Sequence, residues 1–173
     1  MKLDNLAFKS IGVENLNDLF KLQSVIMESL DDTDLFEKES EETLLPFLNK
    51  NQMYILGCYS NDALIAYGIM LFPKFEKENL GYDLGFAKDD LPYIAHIDSI
   101  AVNPKYRGLG LQVLIGNYLG NIAKSLGYIH LMSTVSPENY HSINNVFKQG
   151  FKIKKLTKKY NGKKRYIFHK KVL

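Results

Sequence analysis

A chain of 173 residues has the usual size of one domain, and its 46% hydrophobic and 24% charged residues with a net charge of +3 are ordinary for a globular protein. A single cysteine, Cys58, excludes an intramolecular disulfide framework and a cysteine-based metal cluster. The longest apolar run, residues 63–72, is too short to span a bilayer, and no apolar signal segment opens the sequence. We therefore expect one domain over residues 1–173, located in the cytoplasm.

Hydrophobic periodicity and turn residues divide the chain into strands and helices. In chain order they predict a strand at 6–11, a helix from 16, a short helix at 42–49, strands at 53–59, 63–72 and 93–102, a helix at 111–126, a strand at 128–135, a helix at 139–148 and strands at 151–156 and 165–172. Asn61-Asp62 and Asn161-Gly162 are typical hairpin turns. Strands alternating with helices, with hairpins at both ends, predict an α/β fold with a mixed sheet covered on both faces.

Residues 73–92 form the longest segment without a clear pattern. Loops of this length are uncommon in compact domains and are often functional. We interpret the segment either as a lid over an acceptor site or as a passive excursion.

Charge is unevenly distributed along the chain. Residues 28–42 are strongly acidic, and the segment either attracts a cationic substrate or is a solvated face, which we favour. Residues 152–165 are strongly basic, which is typical of a nucleic-acid patch or of a hairpin whose lysines face water. The alternation in KIKKL favours the hairpin, so nucleic-acid binding is not expected.

The segment VNPKYRGLGLQ, residues 102–112, joins a predicted strand to a predicted helix. The first N–H groups of a helix lack intrahelical partners, and its dipole puts partial positive charge there. Gly108 and Gly110 leave these amides uncovered, and Arg107 adds a permanent cation. This chemistry indicates a phosphate or diphosphate site, although neither the G-x-G-x-x-G fingerprint nor a P-loop is present.

The same segment resembles the signature of the GNAT (Gcn5-related) acyltransferases, which runs V-x-P, an aromatic residue, then Gln/Arg-x-x-Gly-x-Gly/Ala. Val102, Pro104, Tyr106, Arg107 and Gly110 match this signature, whereas Gln112 replaces its last small residue. A second block, SPENYHSINNVFKQGF, is similar to the family's N-x-x-A/S segment with its Gly-Phe ending. The resemblance implies the GNAT fold, with a mostly antiparallel sheet of six to seven strands.

The resemblance also implies acetyl-CoA as the acyl donor, with no metal. Cofactor contacts are then expected from the main chain and from the first turn of the helix. The implied cofactor-binding residues are Ile100, Ala101, Val102, Arg107, Gly108, Leu109, Gly110, Leu111, Gln112, Asn139 and Ser142.

In the predicted strand at 93–102, which precedes Gly108 and Gly110, two residues occupy positions where some relatives have the general base. His96, Asp98, Ile100 and Val102 are expected to share one face of that strand. We expect Asp98 to be the base and His96 to relay a proton or bind the acceptor; structural roles for both are the alternative. Relatives often protonate the leaving thiolate with a tyrosine, for which this chain has Val146. Tyr140 is the nearest hydroxyl and is the candidate general acid.

The sequence therefore predicts an N-acyltransferase that moves an acetyl group from acetyl-CoA to an amine of a small molecule or peptide. The alternative is a GNAT-like domain that binds CoA as a sensor or scaffold without catalysis.

Overall fold

The computed structural model describes residues 5–30 and 38–173. Its strands are β1 (Leu6–Ser10), β2 (Met53–Ser60), β3 (Ala63–Leu71), β4 (Ile94–Val102), β5 (His130–Val135), β6 (Lys152–Lys159) and β7 (Lys163–Lys171). Its α-helices are α1 (Leu16–Glu28), α2 (Glu41–Asn49), α3 (Leu80–Asp83), α4 (Leu111–Ser125) and α5 (Tyr140–Lys148). None of the helices in the described ranges is long and apolar enough to cross a membrane.

All seven strands form one sheet in the order β1-β2-β3-β4-β5-β7-β6. The β4–β5 pair is parallel and the other neighbours are antiparallel. The two predicted hairpins are confirmed: Asn61 and Asp62 have φ of 48° and 62° between β2 and β3, and β6 turns into β7 at residues 160–162. The predicted mixed, mostly antiparallel sheet with helices on both faces is confirmed.

Apolar side chains cover both faces of the sheet. On one face, α4 and α5 pack through Leu111, Ile115, Leu119 and Val146 onto strand residues that include Ala95 and Ile97. On the other face, α1 and α2 pack onto Ile55, Tyr67, Ile69 and Ala101, and a third cluster joins Leu80 and Leu91 to Ile94, Met132 and Ile167. The sheet is therefore a rigid platform on which the loops at the end of β4 are held.

The segment predicted as an irregular loop, residues 73–92, is largely structured. It contains α3 and most of a 3₁₀ helix, Lys88–Tyr93. Leu80 and Leu91 are buried against the sheet, and the buried Asn79 side chain donates hydrogen bonds to the carbonyls of Lys74 and Leu91. The hydrophobic pattern of these short elements extends over too few residues to predict them. The burial of Leu80 and Leu91 against the sheet does not support a lid.

Candidate active site

A cavity of about 980 Å³ opens where β4 and β5 separate. Their parallel ladder pairs Ile94 with His130, Ala95 with Leu131 and His96 with Met132, and it ends there. Both strands continue beyond that point, so an edge of β4 faces the gap. The cavity is lined by β4 residues 97–100, by residues 133–139 of β5 and the following turn, and by parts of α4 and α5. Residues 160–161 of the β6–β7 turn and residues 163–165 at the start of β7 complete the lining.

A β-bulge places Asp98 at this gap. Ile69 of β3 pairs with Ser99, but the next β3 residue, Met70, pairs with Ile97, so Asp98 is the extra residue of β4. Bulges bend a strand and redirect its side chains. Asp98 is exposed and lines the cavity.

The bulge overturns the prediction that four β4 side chains share one face. Ile100 and Val102 pack on the α4 side of the sheet, with Ala95 and Ile97. His96 alternates with Ala95 and Ile97 and therefore lies on the opposite face. The extra residue in the strand reversed the alternation that the sequence implied.

The His96 ring is buried and acts as a hydrogen-bond acceptor. Its Nε2 accepts the N–H of Leu80 at 3.2 Å. Burial, together with Lys159 and partly opposed by Asp83, lowers the pKa of His96 to about 4. In the neutral ring the proton is then on Nδ1, so no lone pair remains available for a proton transfer in this arrangement.

We expect the free energy of unfolding to fall as the pH is lowered from about 6.5 to about 4. The unfolded chain takes up a proton on His96 in this range, near its ordinary pKa, whereas the folded chain does not. For a pKa lowered from 6.5 to about 4, the loss is at most about 3 kcal/mol from His96. His169, with a pKa also lowered to about 4, acts in the same direction.

Urea unfolding at several pH values measures this effect. His96→Gln should flatten the pH dependence, because glutamine offers an acceptor but no titrating group. His141→Gln, at an exposed position of α5, is the matched control and should leave the slope unchanged. If the free energy of unfolding of His96→Gln still fell with pH as steeply as that of the unmodified protein, His96 would not be the source of the pH dependence.

The segment between β4 and α4 leaves the start of α4 uncovered. Gly108 and Gly110 have φ of +79° and +77°, and a Cβ built at either position meets nothing within 4 Å. Gly110 is the N-cap of α4 and offers no capping side chain. Arg107 is exposed and its Nη2 donates to Ser29 Oγ at 3.2 Å. Uncovered helix-start amides beside a guanidinium are suited to an anion.

Gln112, the departure from the family signature, bridges two helices. Its Oε1 accepts a 2.7 Å hydrogen bond from Asn145 Nδ2 of α5. The side chain therefore extends from α4 to α5, and it lines the cavity. A residue larger than the usual glycine or alanine is accommodated because α5 supplies a polar partner for it.

Replacing Gln112 with Ala should lower the free energy of unfolding by about 1 kcal/mol, the value of one hydrogen bond. Acetyl-CoA affinity should stay within about threefold, because the side chain is engaged by Asn145. Chemical unfolding and calorimetry measure the two quantities, with Asn117→Ala on the exposed face of α4 as the control. A tenfold loss of affinity would instead assign the Gln112 side chain to cofactor binding.

The second block lies at the start of α5. Asn139 is the N-cap, and its Oδ1 accepts the N–H of Ser142 at 3.0 Å. Both residues and Val146 line the cavity. Tyr140 is 73% exposed and does not belong to the lining. The structure thus brings Asn139, Ser142 and Gln112 to the cavity with Asp98, but not Tyr140.

Several cavity residues were not assigned to the site from the sequence, although Glu39 lies in the acidic segment 28–42 and Lys163 and Arg165 lie in the basic segment 152–165. They are Glu39, before α2, Thr134 of β5, and Tyr160, Lys163 and Arg165 of the β6–β7 hairpin. Tyr160 stands next to the predicted Asn161-Gly162 turn, which was its only signal. Thr134, Lys163 and Arg165 reach the cavity through strand pairing across the sheet, which no local pattern reveals. Residues 31–37 of the acidic segment lie outside the described residues.

The sequence model of the acetyltransferase (GNAT) family matches residues 16–151. No curated protein gives a significant match. The fold is similar to that of the ribosomal-protein-S18-alanine N-acetyltransferase of Escherichia coli (TM-score 0.70, 16% identity, 97% of this chain and 94% of the other). It is also similar to the PaiA N-acetyltransferase of Thermoplasma acidophilum in complex with coenzyme A (0.69, 15%, 96% and 99%) and to a probable acetyltransferase of Staphylococcus epidermidis (0.74, 12%, 96% and 99%).

Proposed function

Because the chain belongs to the GNAT acetyltransferase family, we propose that it transfers an acetyl group from acetyl-CoA to a primary amine, which attacks the thioester directly. The observation that supports this most is the gap between β4 and β5, with Asp98 on its wall and the start of α4 at its edge. A donor bound along β4 and an acceptor beside Asp98 meet in this gap. Cys58, a buried free thiol, is compatible with the reducing cytoplasm in which we place the enzyme.

The residues around the gap fit acetyl-CoA, which as a thioester supplies an activated acyl group. The amides from Arg107 through Gly108, Leu109, Gly110 and Leu111 to Gln112 offer donors to its diphosphate. The main chain of Ile100, Ala101 and Val102 lies beyond the β4–β5 ladder and offers hydrogen-bonding groups to its pantetheine amides. Asn139 and Ser142 border the same channel from α5.

Asp98 is the proposed general base. An amine with a pKa of about 10.4 costs about 4.6 kcal/mol to deprotonate at pH 7, whereas an α-amine near pKa 8 costs only about 1 kcal/mol. A base therefore matters most for an alkylamine. Asp98 is exposed within the cavity and can accept that proton directly or through a water molecule. We assign no proton-transfer step to His96, whose Nε2 is engaged by Leu80.

The proposal contains no side chain that protonates the leaving thiolate. Val146, at the position where relatives often have tyrosine, is buried and has no proton to give. The role of Tyr140 stays a prediction, and its exposed position outside the cavity lends it no support. A thiol with a pKa of about 8.5 is a tolerable leaving group without assistance.

Release of free CoA from acetyl-CoA in the presence of a panel of primary amines tests the proposal. We expect release that depends on both the enzyme and the amine, and an acetylated amine detectable by mass spectrometry. The alternative, a CoA-binding sensor without catalysis, predicts acetyl-CoA binding with no acceptor-dependent release. Binding without turnover of any amine would therefore contradict the proposed function.

A further inference from the structure

The cavity carries charges of opposite sign on two of its walls. The lining contains three carboxylates, of which Glu39 and Asp98 form what we name the acidic wall, next to β4, and Glu138 lies in the turn after β5. Lys163 and Arg165, at the start of β7, form the basic wall. An amine acceptor needs only the first of these walls, so the second requires its own explanation.

Two buried hydroxyls beside the acidic wall lack a hydrogen-bond partner within the described residues. The Tyr67 ring is fully buried, and its hydroxyl makes no hydrogen bond within the part of the chain that the structure describes. Tyr67 pairs with Ala101 of β4, and because side chains alternate its ring lies on the same face of the sheet as Ser99. Burial first, then Glu39 and Asp98, raise the pKa of its hydroxyl. Ser99 lines the cavity and its Oγ also lacks a partner among the described residues. Carboxylates near oxygen acceptors suit a protonated amine.

Arg165 of the basic wall is oriented by its neighbours. Its guanidinium lies over the Tyr160 ring, 5.7 Å from the centroid, and the Tyr160 hydroxyl is 3.1 Å from Thr134 Oγ1. One of its nitrogens, Nη1, donates to the Lys164 carbonyl at 3.2 Å. No carboxylate of residues 5–30 or 38–173 forms a salt bridge with it, whereas Lys159 pairs with Asp83. The guanidinium is thus held at the cavity without a salt-bridge partner among the residues that the structure describes.

Arg165 faces away from the proposed diphosphate site. Along β7, Tyr166 and Phe168 point to the face covered by α4 and α5, whereas Ile167 packs with Leu80 and Ile94 on the other face. Because side chains alternate, Arg165 shares the face of Ile167. The start of α4 is on the opposite face, so the cofactor's diphosphate does not account for Arg165.

We propose that the acceptor carries an anionic group, a carboxylate or a phosphate, in addition to its amine. The amine is bound at the acidic wall and the anionic group at Arg165, whose planar fork matches either anion. This inference rests on the proposed function and specifies its acceptor. A diamine fits poorly, since its second ammonium would face Arg165 and Lys163.

Initial rates with amines of matched chain length test the inference. Each acceptor ends in a carboxylate, a phosphate, a methyl group or a second ammonium, and acetyl-CoA is saturating. We expect kcat/KM to be at least about tenfold higher for an anionic end than for a methyl end, because the pair is charge-assisted. Comparing kcat/KM for the carboxylate-ended and the phosphate-ended amine shows which of the two anions the site prefers. Arg165→Met should abolish the preference for an anionic end. Its kcat/KM for the methyl-ended amine should stay within about threefold of the unmodified enzyme's.

Two further variants separate recognition from folding. Arg165→Lys keeps the charge without the fork and should retain part of the preference. Lys158→Met, at an exposed position of β6 outside the cavity, is the control and should retain all of it. Two results would overturn the inference and leave the proposed function intact. One is an equal decrease in kcat/KM for every acceptor in Arg165→Met, and the other is a higher kcat/KM for the diamine than for the anionic amines. Acetyl-CoA binding with no turnover of any amine would instead overturn the proposed function and the inference with it.

Discussion

Replacing Gly110 with Asp should weaken acetyl-CoA binding by about 100-fold or more. Gly110 is the N-cap of α4, and an added Cβ there projects into open space over the helix start. A carboxylate at that point faces the proposed diphosphate, and two charges about 4–5 Å apart at an effective dielectric near 20 repel by about 3–4 kcal/mol. The added charge is itself favourable at a helix N-terminus, whereas the φ of +77° strains any side chain at this position and makes a control of the same size necessary.

Gly110→Asn is the matched control for this prediction. Asparagine has the size of aspartate and the same tolerance of a positive φ, so backbone strain and crowding are similar in both variants. Calorimetric titration should give a dissociation constant for acetyl-CoA at least about 30-fold weaker in Gly110→Asp than in Gly110→Asn, as expected for a charge effect of more than 2 kcal/mol. Equal affinities would mean that no anion binds at this helix start.

Asp98→Asn should lower kcat/KM for an alkylamine at pH 7 by about 100-fold or more, within the range of general-base catalysis. Asparagine keeps the shape of the side chain but cannot accept the proton. The remaining activity should then rise with pH towards the pKa of the acceptor amine, because only amine molecules that are already neutral react. Acetyl-CoA affinity should stay within about threefold, since the change is in the acceptor half of the cavity.

The control for this substitution makes the same chemical change elsewhere. Asp62 is exposed in the β2–β3 turn at a φ of 62°, which asparagine also tolerates, and Asp62→Asn should leave turnover unchanged. Rates measured from pH 6 to pH 10 separate the loss of a base from a change in acceptor binding. Largely retained turnover of Asp98→Asn at neutral pH would remove Asp98 from the role.

The strands and long helices were predictable because their apolar residues recur at a constant spacing over many positions. The apolar stripe of α4 and the glycine that follows it located that helix to within one residue, and the hairpins were located by their turn residues. Helix α3 has four residues, fewer than a periodic pattern requires. It is held by tertiary packing of Leu80 and by the Asn79 cap, neither of which has a distinct local signal.

The candidate site was only partly predictable for a different reason. The glycine-rich start of α4 is a local motif, so Arg107, Gly108 and Gly110 could be selected from the sequence alone. The bulge at Asp98 depends on the register between β3 and β4, and alternation within one strand cannot reveal an inserted residue. Glu39, Tyr160 and Arg165 reach the cavity from distant parts of the chain. The placement of Tyr160 and Arg165 follows from the strand order, in which β7 lies between β5 and β6.

Calorimetric titration of the folded protein with acetyl-CoA and with acetyl-pantetheine, which lacks the diphosphate and the nucleotide, tests most directly whether the amides at the start of α4 bind the diphosphate. We expect acetyl-CoA to bind at least about 100-fold more tightly, a difference of about 2.7 kcal/mol. Equal affinity for the two thioesters, or no heat with acetyl-CoA, would contradict the assignment of this helix start as the cofactor site.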